Sequence, residues 1–256
     1  MHLSTTALAV GVYGTPGAAN MGVLGEQPIE ESIKRAKDLA AAYQQYSTET
    51  ILPTFEIIST IASATPTPDG NYSRELAISA LRPWVDAAKN AGIYVVLDLQ
   101  PGRTDFLTQA QLYEPLLTQP NVGLALDPEW RLAPNQVHLK QIGSVAAEEV
   151  NTVSAWLSGL VAQNNLPQKL FLLHQFRLSM ITSRERLDTH KQLAYVIQMD
   201  GNGAQATKLH TWQAILQEPP ANMLFGWKNF YDEDHPMLSP EATMQLSPKP
   251  VYTSYQ

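Results

Sequence analysis

Eight short apolar runs, each separated from the next by a polar or amphipathic stretch, set the strongest constraint on how this chain can fold. They are Ala7–Tyr13, Ile51–Ile58, Ile93–Leu99, Val122–Leu126, Leu170–His174, Ala194–Met199, Met223–Trp227 and Val251–Tyr255. Seven intervening segments carry helical spacing: Ile29–Tyr46, Arg74–Asn90, Phe106–Thr118, Val145–Asn164, Ser183–Gln192, Ala204–Leu216 and the short Pro240–Leu246. Near-continuous apolar runs are the pattern of parallel strands buried on both faces, and eight strand–helix steps in 256 residues is the count of a closed (β/α)8 barrel. A doubly wound open sheet competes, but it needs a nucleotide site at a switch point and usually has fewer repeats. No linker, low-complexity tract or internal repeat interrupts the pattern, so residues 1–256 read as one domain. The last run ends at the end of the sequence with no eighth helix behind it. Its flank is therefore expected to be covered by a missing segment, an upstream segment or a partner chain.

Local signals support the partition. Ser73 stands where it would cap the second helix, and Gly92 follows its last turn. Pro83 lies inside that segment, which predicts a kink or a start later than Arg74. Asp105 is placed to cap Phe106–Thr118. Pro28 is placed at a first-turn position of the first helix, followed by Glu30 and Glu31 where the dipole favours negative charge.

Composition then removes whole classes. The formal net charge is −7, with no visible Lys/Arg cluster, which argues against nucleic acid as a partner. The longest apolar runs are far shorter than the roughly 20 residues a membrane helix needs. There is no cysteine, hence no disulfide, thiolate metal site or cysteine nucleophile. Met1-His2-Leu3-Ser4 lacks the basic region of a signal peptide. Charged residues are only 16% of the chain, which together with the abundance of Thr, Gln, Asn and Ser is compatible with an extracellular or cell-envelope location.

In a barrel of this kind chemistry sits at the C-terminal ends of the strands. Five carboxylates, Glu56, Asp98, Asp127, Glu129 and Asp200, end or interrupt apolar runs and are expected to share one mouth. Buried carboxylates need basic partners, a metal or a catalytic purpose. Arg103, Arg131, Arg177 and Lys228 supply the simplest alternative, a structural ion-pair network. The sharpest spacing is Asp127-x-Glu129: residues two apart on a strand face the same side, and two neighbouring carboxyls raise one another's pKa. A proton donor beside a negative partner is what glycosidic bond cleavage requires. Trp130, with Tyr13, Trp227, Phe230, Tyr231 and Tyr255, offers flat faces for sugar rings. Gln100, Arg103, His174, Gln175, Gln198, Lys228 and Asn229, together with Glu56, are the candidate partners of sugar hydroxyls.

The run Val122-Gly123-Leu124-Ala125-Leu126-Asp127-Pro128-Glu129-Trp130 resembles the fourth-strand motif D-G-x-D-x-D-x-E of family-18 chitinases and endo-β-N-acetylglucosaminidases. That resemblance implies a glycoside hydrolase in which Glu129 is the acid/base and Asp127 orients the substrate's acetamido group. Val122 and Ala125 replace the first two aspartates, and Met199-Asp200 stands where the family has Tyr-Asp. A direct mechanism, with Glu129 as acid and Asp200 or Asp98 as nucleophile or base, is equally admissible. Carboxyl separations of about 5–5.5 Å and about 6.5–9.5 Å distinguish retention from inversion.

The sequence therefore reads as a barrel hydrolase acting on a polysaccharide or glycoconjugate, cell-wall glycan included, with no cofactor and no resident metal. Two other readings stay open. In one, Asp98, Asp127, Glu129, His174 and Asp200 hold a divalent ion for phosphodiester or amide hydrolysis, although no H-x-H or H-E-x-x-H spacing exists. In the other, the mouth binds carbohydrate without cleaving it. Gly201-Asn202-Gly203-Ala204-Gln205-Ala206 is read as a tight turn that projects Asp200, not as a phosphate loop. Asp232-Glu233-Asp234-His235 is read as a solvated acidic loop in preference to a calcium site, and no G-x-S-x-G elbow supports a serine nucleophile.

Overall fold

The computed structural model describes residues 7–256. Its eight main strands are β1 (Ala7–Gly14), β2 (Thr50–Ala62), β3 (Tyr94–Leu99), β4 (Val122–Leu126), β5 (Lys169–His174), β6 (Leu193–Met199), β7 (Leu224–Asn229) and β8 (Tyr252–Tyr255). Each pairs in parallel with its sequence neighbours, and β8 returns to pair with β1, so the sheet closes into a barrel. Closure excludes the doubly wound alternative. The helices are α1 (Ile29–Gln44), α2 (Ile78–Ala91), α3 (Phe106–Leu112), α4 (Glu114–Leu117), α5 (Ala147–Gln163), α6 (Gln205–Ile215) and α7 (Pro240–Met244). None is long and apolar enough to cross a membrane.

Strand periodicity divides the barrel into layers. Residues that share a register point to the same side, and every second residue faces the axis. The lower interior is apolar, built from Ala9, Val96, Ala125, Leu172, Val196 and Tyr252. Gly123 on β4 leaves room for the Tyr94 side chain of β3 to pass over it to β5: a Cβ there would lie 3.0 Å from the Tyr94 hydroxyl, which accepts the Leu170 N–H. The outward faces pack against the helices in one large cluster that includes Phe55, Trp84, Leu97, Phe106, Leu157 and Phe171. The upper interior is where the pattern turns polar.

Several local expectations are corrected. Ser73 does not cap α2. Ser73–Glu75 forms a short strand antiparallel to the end of β2, the Ser73 hydroxyl donates to the Gln100 carbonyl, and α2 begins at Ile78 with Pro83 still inside it. Pro28 occupies the N-cap of α1, not its first turn. Asp105 caps α3 by accepting the Thr108 N–H, and Gly92 ends α2 in the left-handed conformation (φ 74°). The predicted helix Ser183–Gln192 does not form. A 3-10 turn, Arg184–Arg186, stands there, and Arg184 is buried with its guanidinium donating to the carbonyls of Ile215 and Gln217, where it closes the end of α6. Phe106–Thr118 is split into α3 and α4. No helix follows β8 in the sequence, and its outward Tyr255 is buried against Tyr43 and Ala40 of α1 and Met244 of α7, with the two tyrosine hydroxyls 2.7 Å apart.

Candidate functional site

The inward positions at the C-terminal ends of the strands form a polar layer above the apolar one. Tyr13 (β1), Glu56 (β2), Asp98 (β3), His174 (β5), Gln198 (β6), Lys228 (β7) and Ser254 (β8) all belong to it, and each is at least nine-tenths buried. His174 is the hub. Its Nε2 donates to Glu56 Oε1 at 2.7 Å and its Nδ1 donates to Asp200 Oδ2 at 2.8 Å, while Asp98 Oδ1 lies 3.9 Å from Nε2. Tyr252 donates to the other Glu56 oxygen at 2.9 Å, and Tyr13 donates to Asp98 Oδ2 at 3.1 Å. Gln198 Nε2 donates to the Ser254 hydroxyl.

Two ring nitrogens that both face carboxylate oxygens need two N–H groups, which only the imidazolium has. Burial by itself would lower the His174 pKa, but the carboxylates of Glu56, Asp98 and Asp200 raise it well above the ordinary value. Burial likewise pushes Glu56 up, and the charge and hydrogen bond of His174 overcome it and hold Glu56 below the usual range. Asp98 is pushed up to about 6 by burial and by the Glu56 charge. Of the basic partners expected for these acids, Arg131 pairs with Glu149, and Arg103 donates to the Gln136 carbonyl with its guanidinium over the Tyr72 ring. The counter-charge for the strand-end acids comes first from His174 and then from Lys228.

Above this layer a cleft of about 700 Å³ opens at the mouth of the barrel. Asp127, Glu129, Trp130, Asp200, Gln100, Tyr13 and Lys228 line it, as do Phe176, Arg177 and Phe230. Asp127 and Glu129 do not share a strand face, because β4 ends at Leu126. Asp127 caps a 3-10 turn, Pro128–Trp130, by accepting the Glu129 N–H at 3.2 Å, and this turn carries Glu129 to the lip. Both still meet in the cleft. Burial pushes Asp127 well above the usual range, with Asp98, Asp200 and Glu129 adding to it. Burial and the Asp200 charge push Glu129 up to about 7. Asp200 Oδ1 has no hydrogen-bond partner among the described residues.

Other sequence candidates fall elsewhere. Glu56, Asp98, His174 and Gln198 are fully buried and do not line the cleft, and His174 and Glu56 are hydrogen-bonded to each other. Gln175, Trp227, Asn229 and Tyr255 sit at odd positions of inward-even strands and face the helices. Gln175 bonds Arg184, the Trp227 indole donates to Asn229, and Tyr255 meets Tyr43. Tyr231 stacks on Tyr255 outside the mouth, and Arg103 stays with Tyr72. The acidic loop is only partly solvated: Asp234 is buried, ion-paired to Lys208, and accepts the N–H groups of Phe230 and Gly203. Gly201 and Asn202 line the rim in irregular backbone followed by a bend at Gly203, not the tight turn expected there.

Asn20, Met21, Thr207 and Thr211 also line the cleft and carry no strand-end signal. Asn20 and Met21 arrive on a loop that folds back over the end of β1. Gly22 permits it: its φ is 114°, and a Cβ there would lie 2.5 Å from the Tyr13 carbonyl oxygen. Thr207 and Thr211 are one turn apart on α6, a spacing that marks a helix face but not a site.

One oxygen each of Asp127 and Asp200 and one nitrogen of His174 lie within 4.8 Å of one another, close enough to consider a metal ion. Both His174 nitrogens are already engaged as donors, however, and offer no lone pair. No protein-family model, that of family 18 included, matches this chain, and no curated protein matches it. Among solved structures it is similar to CcCel6C, a glycoside hydrolase family 6 enzyme from Coprinopsis cinerea, with 14% identity and a TM-score of 0.33 over 86% of this chain. The chain spans 61% of the length of that enzyme.

Proposed function

We propose that this chain is a glycoside hydrolase acting on a polysaccharide or glycoconjugate. The observation that carries the reading is Glu129: a carboxyl pushed up to about 7, on the lip of an open cleft, beside the carboxylates of Asp127 and Asp200. Such a group holds a proton near neutral pH and can hand it to the oxygen of a leaving sugar. Asp200, fixed through one oxygen by His174, presents the other for the anomeric side, either to a water or to the carbon itself. Asp127 is a positioning residue that holds the Glu129 turn. Trp130 and Phe176 supply the flat faces on which a ring rests.

The test is the release of reducing ends from a panel of polysaccharides, followed as a function of pH. Only protonated Glu129 is a competent acid, so kcat/KM is expected to fall about tenfold per pH unit above about 7. No reducing ends from any member of the panel would overturn the reading. So would a profile flat between pH 6 and 9, because the acid would then not be Glu129.

The clustering of Asp127, His174 and Asp200 gives a metal-dependent hydrolase a specific claim as the second reading. Glu56 on the far side of His174 matches the carboxylate support that metal-bound histidines receive. An ion would have to displace the Nδ1 proton that bonds Asp200. Millimolar Mn²⁺ is expected to leave the melting temperature unchanged, and EDTA to leave turnover unchanged. A rise of several degrees with Mn²⁺, abolished in Asp127→Asn, would establish the metal reading instead.

A further inference from the structure

We propose that the sugar bound beside Glu129 carries a carboxylate that pairs with Lys228, so that the substrate is an acidic saccharide of the uronic acid class. The proposal rests on the glycoside hydrolase reading and narrows it.

Lys228 ends the inward face of β7 in register with Ser254 of β8. Its side chain is only 3% exposed, yet it lines the cleft. Among the described residues its ammonium has no ion-pair or hydrogen-bond partner; it rests 3.3 Å above the centre of the Tyr13 ring and 5.1 Å from that of Phe230. An aromatic face attracts a cation but satisfies none of its three N–H donors. A buried ammonium without an acceptor is costly, and this one borders the cleft where a substrate would lie.

The other buried basic groups are fully engaged. Lys208 bonds Asp234 and the Lys228 carbonyl, Lys169 bonds the carbonyls of Gln119 and Val122, and Arg184 bonds Ile215 and Gln217. Lys228 acts on Glu56, Asp98 and Glu129 through charge without a hydrogen bond; of these, Glu56 accepts from His174 and Tyr252, and Asp98 from Tyr13. A second cation, Arg177, leaves the end of β5 on the same cleft, exposed and without an ion pair among the described residues. The same cleft carries Asp127, Glu129 and Asp200, and the charges of Lys228 and Arg177 both favour the ionised form of Glu129, yet neither cation makes an ion pair with these carboxyls among the described residues. A sugar hydroxyl would occupy an N–H of Lys228 without balancing its charge, whereas a carboxylate does both. The guanidinium fork of Arg177 suits the same group.

The experiment compares binding of D-glucuronate and D-galacturonate with D-glucose and D-galactose by saturation-transfer NMR, with sodium acetate as a control. The wild-type protein is expected to bind a uronate at least tenfold more tightly than its neutral counterpart. Lys228→Met should abolish the preference, Lys228→Arg should restore part of it, and the exposed Arg177→Gln, which leaves the interior intact, should weaken uronate binding severalfold. Equal binding of neutral and acidic sugars would overturn the proposal and leave the hydrolase reading standing. A preference that survives Lys228→Met, or acetate that competes as well as a uronate, would overturn it too. Absence of binding by all four sugars, together with no turnover of any polysaccharide, would overturn both.

Discussion

Glu129→Gln is expected to lower kcat by about 10²–10⁴-fold while leaving saccharide binding near the wild-type level, the loss that removal of a general acid produces. The amide keeps the shape and the hydrogen-bonding capacity of the neutral acid but has no proton to give. Stability should change in the opposite sense. A carboxyl raised from its ordinary 4.5 to about 7 by folding costs the fold stability as the pH climbs through that interval, because the charged form meets Asp200 in a half-buried setting. The Gln variant is therefore expected to melt higher than wild type at pH 8 and at the same temperature at pH 4. Turnover measured with saturating polysaccharide, alongside thermal melts at both pH values, checks both halves. Unchanged turnover would remove Glu129 from the mechanism.

The barrel was legible because its strands are buried on both faces. Val122–Leu126 and Leu170–Leu173 carry no polar side chain, the pattern of parallel strands buried on both faces, and the pairing of β8 with β1 distinguishes the closed barrel from an open sheet. The strand positions of the site were legible where the side chain faces the barrel axis. Glu56, Asp98, His174, Gln198 and Lys228 all lie on the axis side, but strand-end position alone does not reveal parity, so Trp227, Asn229, Gln175 and Tyr255 were grouped with them although they point at the helices. Parity could have been read by carrying the alternation up from the apolar layer, since Tyr252 and Ser254 share a face and Tyr255 does not. The Asp127–Glu129 pairing was right in outcome and wrong in cause: Pro128 starts a turn, and the turn brings the two acids together. The failed helix Ser183–Gln192 has a tertiary origin. Its apolar spacing is real, with Leu187 buried, but Arg184 is drawn inward to the end of α6, Asn151 of α5 bonds both the Arg186 carbonyl and the Asp188 N–H, and Ser183 adopts a left-handed φ of 54°. Those partners lie about thirty residues away in either direction, beyond the reach of local pattern.

The hub of the polar layer makes the second large prediction. His174→Leu removes the imidazolium that Glu56, Asp98 and Asp200 share and leaves only the more weakly acting Lys228 as counter-charge to Glu56 and Asp98. Breaking one side of a buried charge set in this way costs about 3–5 kcal/mol. In a domain of this size that lowers the melting temperature by about 2–4 °C for each kcal/mol. The Glu56→Gln, His174→Leu double variant should regain part of the loss, because the carboxylate most closely tied to the imidazolium is then neutral. The pH dependence follows from the two shifts. His174 has a folded pKa above its ordinary 6.5, so its contribution is fully present below that value and fades as the pH rises through the folded one. Glu56 has a folded pKa below its ordinary 4.5, so its contribution is present above 4.5 and fades as the pH falls through the folded one. The stability gap between wild type and His174→Leu is therefore widest between 4.5 and 6.5 and narrows on both sides. Denaturant unfolding of the two proteins across pH 3–10 measures it. A gap independent of pH would mean that His174 is held for its shape and not its charge, and the clamp on Asp200 would then have no electrostatic basis.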